Sequence, residues 1–177
     1  MYSMSELIKT GKKLFHTGDL ALIWKIDRPA TLHMRVMRYV DRGMLYPIQR
    51  GLYSVVPFDK LDPLEVAVAI NHGYCYLSTE TILERNGVVN RRVNCLTFVA
   101  RRSKMIVWQE NRFIFRKLAD KYLFQTVGIV QNEDFLVASL ERAAADMKYF
   151  NPKFYFDTPN LINWDKVSQI QKEVGYK

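Results

Sequence analysis

Thr31, Met34, Arg35 and Arg38 stand at i, i+3, i+4 and i+7 in the N-terminal third of the chain. On a helix turning about 100° per residue, that spacing gathers them on one face. The face carries two guanidinium groups, a hydroxyl and a flexible apolar group. These are groups that read double-stranded DNA: arginine pairs with guanine O6 and N7, and threonine and methionine lie against thymine methyls or phosphates. The plainer reading is a solvated basic helix face. Arg50, in a Gln49-Arg50-Gly51 turn shortly after, is placed to touch a phosphate or enter the minor groove. Lys12 and Lys13 are further candidates for backbone phosphates, whereas His33, Tyr46 and Tyr53 are expected to pack.

A second set follows. Arg91, Arg92, Arg101, Arg102 and Lys104 form a candidate second nucleic-acid surface near expected strand ends. The chain has 26 Lys and Arg against 18 Asp and Glu, a net charge of +8. Residues 1–60 are net +5, 61–84 are net −4, 85–121 are net +8 and 122–177 are net −1. Two basic blocks around an acidic one suit a polyanion, because Lys and Arg gain by displacing its condensed counterions.

Other chemistries find little support. His16, His33 and His72 are isolated in the sequence, and no HExxH, P-loop or GxGxxG motif occurs. Cys75 and Cys95 read as buried thiols, too few for a disulfide framework or a four-cysteine zinc site. Glu141 and Asp146 point about 140° apart on a helix, while Arg142 and Asp146, four apart, suit an ion pair. The expectation is therefore a protein with no catalytic residues, metal or cofactor. A nuclease with its site among residues 90–146 is the enzymatic alternative. No apolar run approaches a membrane span, and the N-terminus lacks the apolar stretch of a signal peptide, so a cytoplasmic protein is expected.

The elements that would position these residues start with an apolar stripe over 4–15 (Leu7, Ile8, Gly11, Leu14, Phe15). Thr17 is expected to cap a second helix, whose inner face is Leu20, Ile23 and Trp24. Asp27 is expected to cap a third, with Pro29 in the first turn and a stop at Gly43. Leu32, Val36, Tyr39 and Val40 form its inner stripe, opposite the basic face. Two β-prone runs around Gly51 read as a hairpin. Three short helices and a basic-tipped hairpin make the expected winged helix-turn-helix, residues 1–58. Residues 59–177 are expected to form a mixed α/β domain, so the whole chain is α+β. There, helices are expected from Asp62-Pro63 to Gly73, after a Ser78 cap, over 134–149 and over 164–174. Strands are expected at 93–99, 105–108, 112–118 and 126–131.

Several of these segments together resemble a known family. Asp19-Leu20-Ala21, Arg42-Gly43-Met44-Leu45 and Arg50-Gly51-Leu52-Tyr53-Ser54 resemble the N-terminal winged helix of AbiEi-type antitoxins of type IV toxin–antitoxin systems. Asp62-Pro63, Gly73-Tyr74, Leu77-Ser78 and Ala138 with Glu141-Arg142-Ala143 and Asp146 are similar to that family's second domain, so the likeness spans roughly residues 4–150. It implies a bifunctional protein. The winged helix would repress its own operon by binding inverted repeats in the promoter. The C-terminal domain would counteract a nucleotidyltransferase-like toxin without requiring a stable complex with it. Many relatives continue with a further basic helix where this chain ends at Lys177. The head alone equally suits a winged-helix regulator without a toxin partner.

Overall fold

The computed structural model describes residues 4–92, 94–132 and 135–176, and among them the chain is a mixed α+β protein with eight α-helices and two sheets. It divides into two compact units, residues 1–72 and 73–177.

In the first unit, α1 (Met4–Lys9) is shorter than its apolar stripe suggests. Gly11, at φ +71°, turns the chain out of the helix. Leu14 and Phe15 then lie in β1 (Leu14–His16) instead of a third helical turn. α2 (Thr17–Trp24) follows directly. Its N-cap is His16 and not Thr17, and the Asp19 carboxylate accepts the His16 backbone N–H at 2.8 Å. α3 (Pro29–Asp41) is preceded by Arg28 at the N-cap, one residue past the expected Asp27, with Pro29 in the first turn, where its missing N–H costs nothing. Gly43, at φ +65°, ends the helical path.

The hairpin follows as β2 (Tyr46–Gln49) and β3 (Leu52–Ser54), joined through Gly51 at φ +80°. β3 pairs antiparallel with both neighbours, so the sheet order is β1-β3-β2. Leu7, Phe15, Leu20, Trp24, Leu32, Val36 and Leu45 close one buried cluster beneath these elements. Each such side chain contributes about 1.5–3 kcal/mol on burial. Tyr39 and Val40, expected in the stripe, are half-buried at its margin.

α4 (Pro63–Asn71) starts as its residues dictate: the Asp62 carboxylate accepts the Leu64 N–H at 2.8 Å, and Pro63 follows. The expected boundary near residue 58 is displaced, because α4 clusters with the first unit. The reason is specific contact with β1 and its approach. Lys13 Nζ reaches the Glu65 carboxylate at 3.0 and 3.1 Å, and the His16 ring nitrogen Nε2 lies 3.0 Å from the Ala69 carbonyl oxygen.

The second unit is a six-stranded mixed sheet of order β6-β7-β5-β4-β9-β8. Its strands are β4 (Cys75–Leu77), β5 (Leu96–Ala100), β6 (Lys104–Trp108), β7 (Asn111–Lys117), β8 (Ile129–Asn132) and β9 (Phe135–Ala138). The pairs β5–β7 and β4–β9 are parallel; the others are antiparallel. The helices are α5 (Glu80–Arg85), α6 (Asp120–Leu123), α7 (Leu140–Phe150) and α8 (Trp164–Val174). The helix expected over 134–149 is thus part strand. Phe135–Ala138 is an apolar run that pairs on both sides, and Ser139 starts the helix by accepting the Arg142 N–H at 3.1 Å. Ser78 caps nothing: Thr79 is the N-cap of α5, and the Ser78 hydroxyl is spent elsewhere. The first residue of the expected strand 93–99 and of the expected helix 134–149 lie outside the described residues.

Candidate nucleic-acid interface

The outward face of α3 is built by the same periodicity that buries Leu32 and Val36. Thr31, Met34 and Arg38 are exposed, with Met34 57% accessible. Arg35 sits differently from its expected place. It is half-buried at the flank of the face, its guanidinium 5.7 Å from the centre of the Trp24 ring. Trp24 in turn lies 5.3 Å from Tyr39, ring centre to ring centre, so an aromatic pair braces α2 against α3. His33 is exposed and not packed, and Met37 is 40% accessible on the same side. The solvent-facing arc therefore runs His33, Met37, Met34, Arg38, Thr31. The two methionines give it more apolar reach than the arginine count alone suggests.

Arg50 is exposed at the hairpin tip. Sequence reasoning missed what fixes that tip. Thr17 donates to the Gly51 carbonyl twice, from its backbone N–H at 2.9 Å and its hydroxyl at 3.2 Å. The start of α2 therefore holds the turn that carries Arg50. A composition signal for this existed only in Thr17 itself, whose hydroxyl ties down the hairpin tip and caps no helix. Lys12 is exposed near this sheet, whereas Lys13 is committed to Glu65. Tyr46 and Tyr53 are half-buried, in keeping with packing.

The isolated histidines of the sequence are not all isolated in space. His16 and His72 meet with ring centres 3.9 Å apart. Burial, and then the neighbouring His72, hold His16 below its ordinary value, so the neutral ring is favoured. Among the described residues no group of three or more His, Cys, Asp or Glu is arranged to hold a metal ion.

The second basic set splits. Arg101, Arg102 and Lys104 come together on the β5–β6 connection, and Lys117 at the end of β7 joins them. Arg101 pairs with Asp120 at 2.6 Å. Lys104 is half-buried with its ammonium 4.9 Å from the centre of the Phe115 ring. Arg91 lies apart from these three, 5.5 Å over the Phe154 ring, and Arg92 is exposed beside it in the chain.

Arg142 and Asp146 turn out to be wholly buried, and their ion pair is 2.9 Å long. Further hydrogen bonds surround the pair. Arg142 also donates to the Gln125 and Val127 carbonyls at 2.8 and 2.9 Å, and to the Tyr76 hydroxyl at 2.9 Å. Asp146 accepts from the Ser78 hydroxyl at 2.8 Å and the Tyr176 hydroxyl at 2.5 Å. Burial and the adjacent Asp146 charge push both Tyr76 and Tyr176 far above the ordinary phenol range. Burial disfavours the Arg142 cation, but Asp146 outweighs it and holds the guanidinium charged. Glu141, meanwhile, faces Lys166 at 3.5 Å. The two carboxylates considered for a nuclease thus serve different partners. Cys75 is buried as expected, but Cys95 is only half-buried, its thiol pushed up by burial.

One further feature had no sequence signal. Thr79 adopts φ 52° and ψ −130° on a β-branched residue, fully buried, and its hydroxyl has no hydrogen-bond partner. It stores strain at the sharp turn between β4 and α5. No protein-family model matches this chain, and no curated protein matches it.

Proposed function

We propose that this protein is a DNA-binding antitoxin and transcriptional autorepressor of a type IV toxin–antitoxin operon, working in the cytoplasm. The observation that carries the DNA-binding half is the order of the first unit. Helix, strand, two helices and a hairpin, with sheet order β1-β3-β2, suit a winged helix-turn-helix. In that reading α3 enters the major groove. Arg38 reaches a guanine edge, Met34 and Thr31 lie against thymine methyls or a phosphate, and Arg50 on the wing contacts backbone or minor groove. Arg35, leaning on Trp24, serves a flanking phosphate. Trp24 and the Thr17–Gly51 tether support the reading because they hold α2, α3 and wing as one rigid reader.

The second half of the proposal rests on the resemblance of residues 62–146 to the antitoxin domain of that family. Residues 73–177 form their own compact unit, as a separate activity requires. That unit counteracts a nucleotidyltransferase-like toxin. No helix among the described residues is long and apolar enough to cross a membrane.

The test separates the two halves. The full chain is mixed with duplex carrying the promoter region of its own operon and probed by footprinting. Protected inverted repeats, lost in Arg38→Ala, support the reader. Co-expression with the neighbouring nucleotidyltransferase scores growth and promoter activity separately. Growth rescue by an Arg38→Ala variant that no longer represses supports two independent activities. Repression with no rescue returns the protein to a regulator without a toxin.

A further inference from the structure

The C-terminal ends of the parallel strands β5 and β7 lie side by side, paired from Leu96–Phe113 to Ala100–Lys117. Carboxyl ends of parallel strands are where open α/β sheets hold ligands. Here those ends carry an open depression of about 390 Å³ lined by Arg101, Arg102, Ser103, Lys117 and Asp120. A second, of about 470 Å³, shares Ser103 and Lys117 with the first and continues over Lys104, Met105, Arg116 and Phe150. A third, of about 260 Å³, is lined by Arg91, Asn151, Lys153, Phe154 and Tyr155; it shares no residue with the second, but Asn151 follows Phe150 in the chain.

Charge along this path is lopsided. Asp120 is spent on Arg101, Glu80 on Arg116, and Asp157 on the backbone N–H of Asn90 at 2.7 Å. Arg102 and Lys117 have no ion-pair partner among the described residues, and both are exposed. Burial holds Lys104 below its ordinary value, and the Arg102 charge beside it is the smallest contribution. Exposed cations without a carboxylate partner leave room for an anion at this site.

The aromatic groups are the second observation. Arg116 lies 5.8 Å over Phe150, and Arg91 lies 5.5 Å over Phe154. Tyr155 is 78% exposed, a large flat side chain with most of its surface in solvent. Cations beside aromatic rings, with the Tyr155 ring open to solvent, are what a single strand needs, since its phosphates follow the charge and its unpaired bases stack. A duplex offers no such base faces.

We propose that this track, from Arg102 and Lys117 past Phe150 to Tyr155, binds single-stranded nucleic acid. It lies wholly within the second unit and does not depend on α3 or the wing. RNA and DNA share the phosphodiester and base chemistry that the track addresses, so both sugars belong in the test.

The full chain is titrated into fluorescein-labelled oligouridine and oligothymidine, with fluorescence anisotropy recorded over a salt series. A duplex of unrelated sequence serves as competitor. The expected result is binding of at least one single strand that the duplex displaces poorly. Arg102→Glu/Lys117→Glu should weaken it at least about tenfold and flatten the log–log salt slope by about 1.4, two single-strand phosphate contacts. Tyr155→Ala should weaken it by roughly tenfold, and Tyr155→Phe should restore it, because stacking needs only the ring. Arg38→Ala should leave strand binding unchanged, so failure of the operator reading and failure of this one are told apart. Circular dichroism checks each fold, and Arg102→Gln/Lys117→Gln replaces the reversal if that unfolds. An unchanged slope in the charge variant overturns the proposal. So does equal displacement by duplex or polyglutamate together with an unaffected Tyr155→Ala, which would reduce the track to a general anion surface.

Discussion

Replacing Asp146 with alanine should strongly destabilise the second unit, and the size of the effect follows from the burial of its partner. Arg142 and Asp146 are both at 0% exposure. Without the carboxylate, the guanidinium keeps the Gln125 and Val127 carbonyls and the Tyr76 hydroxyl but no counter-charge. Removing one member of a buried pair costs about 3–5 kcal/mol, because the remaining charge is neither paired nor hydrated. The hydroxyls of Ser78 and Tyr176 also lose their acceptor, each an orphan of about 1–3 kcal/mol that overlaps the first cost instead of adding fully. A total near 4 kcal/mol is much of the roughly 5–15 kcal/mol that holds a domain folded. In a unit of about 100 residues it lowers the melting temperature by roughly 15–30 °C. The measurement is urea and thermal denaturation of the full chain, followed by tyrosine fluorescence and near-ultraviolet circular dichroism. Arg142→Met, Asp146→Leu and the double variant Arg142→Met/Asp146→Leu complete a double-mutant cycle. The double variant should be less damaged than Asp146→Ala, since it leaves no buried charge. If Asp146→Ala loses less than about 1 kcal/mol, or the coupling is near zero, the network does not hold this unit together as argued.

The remaining expectations are quicker to state. Gly128→Ala should cost more than about 1 kcal/mol by denaturation, because Gly128 has φ +71° and an added Cβ would meet the Arg142 Cβ at 2.8 Å. Leu32→Ala, removing a core side chain 6% exposed, should destabilise the first unit by about 2–5 kcal/mol, read by thermal melting. Arg38→Ala should leave stability within about 0.5 kcal/mol and remove about 1–3 kcal/mol of operator affinity, read by mobility shift. For Tyr76 and Tyr176 the folded state keeps the proton more tightly than the unfolded one. Their contribution is therefore complete below about pH 10, the unfolded value, and is lost as pH rises above it. Urea midpoints taken between neutral and strongly alkaline pH should fall from there upward, less steeply in Tyr176→Phe.

What was legible in the sequence is what repeats locally. The 3.6-residue period of Leu32 and Val36 located α3 and, by subtraction, the exposed Thr31, Met34 and Arg38. Arg35 escaped because a 40° offset on a helical wheel does not reveal a tryptophan standing beside it. β1 escaped for a different reason. Leu14 and Phe15 continue the helical spacing of Leu7 and Ile8, and only pairing with β3, some forty residues on, makes them a strand. β4 has three residues, all buried, so it shows no alternation at all. Phe135 and Ala138 fit helical spacing with the α7 positions, yet the ladder on either side claims them as β9. Ion pairing of Arg142 with Asp146 was readable from spacing; its complete burial was not, since the Tyr76, Ser78 and Tyr176 that enclose it come from distant parts of the chain.

The charge map acquires a meaning that neither block has separately. The basic excess of residues 1–60 lies in the first unit, and that of residues 85–121 lies in the second. If both surfaces bind, the two salt dependences should differ in slope per contact, about 0.9 for each duplex phosphate and about 0.7 for each single-strand phosphate. Charge reversal in one block should then leave the slope of the other ligand untouched. Such independence is what the two proposed activities require, since their residues lie in separate units. A single polyanion surface would instead show competition between operator duplex and single strand at every salt concentration. Ternary binding of both, seen as a supershift of the duplex complex by labelled oligouridine, is the outcome expected if the two proposed surfaces act independently.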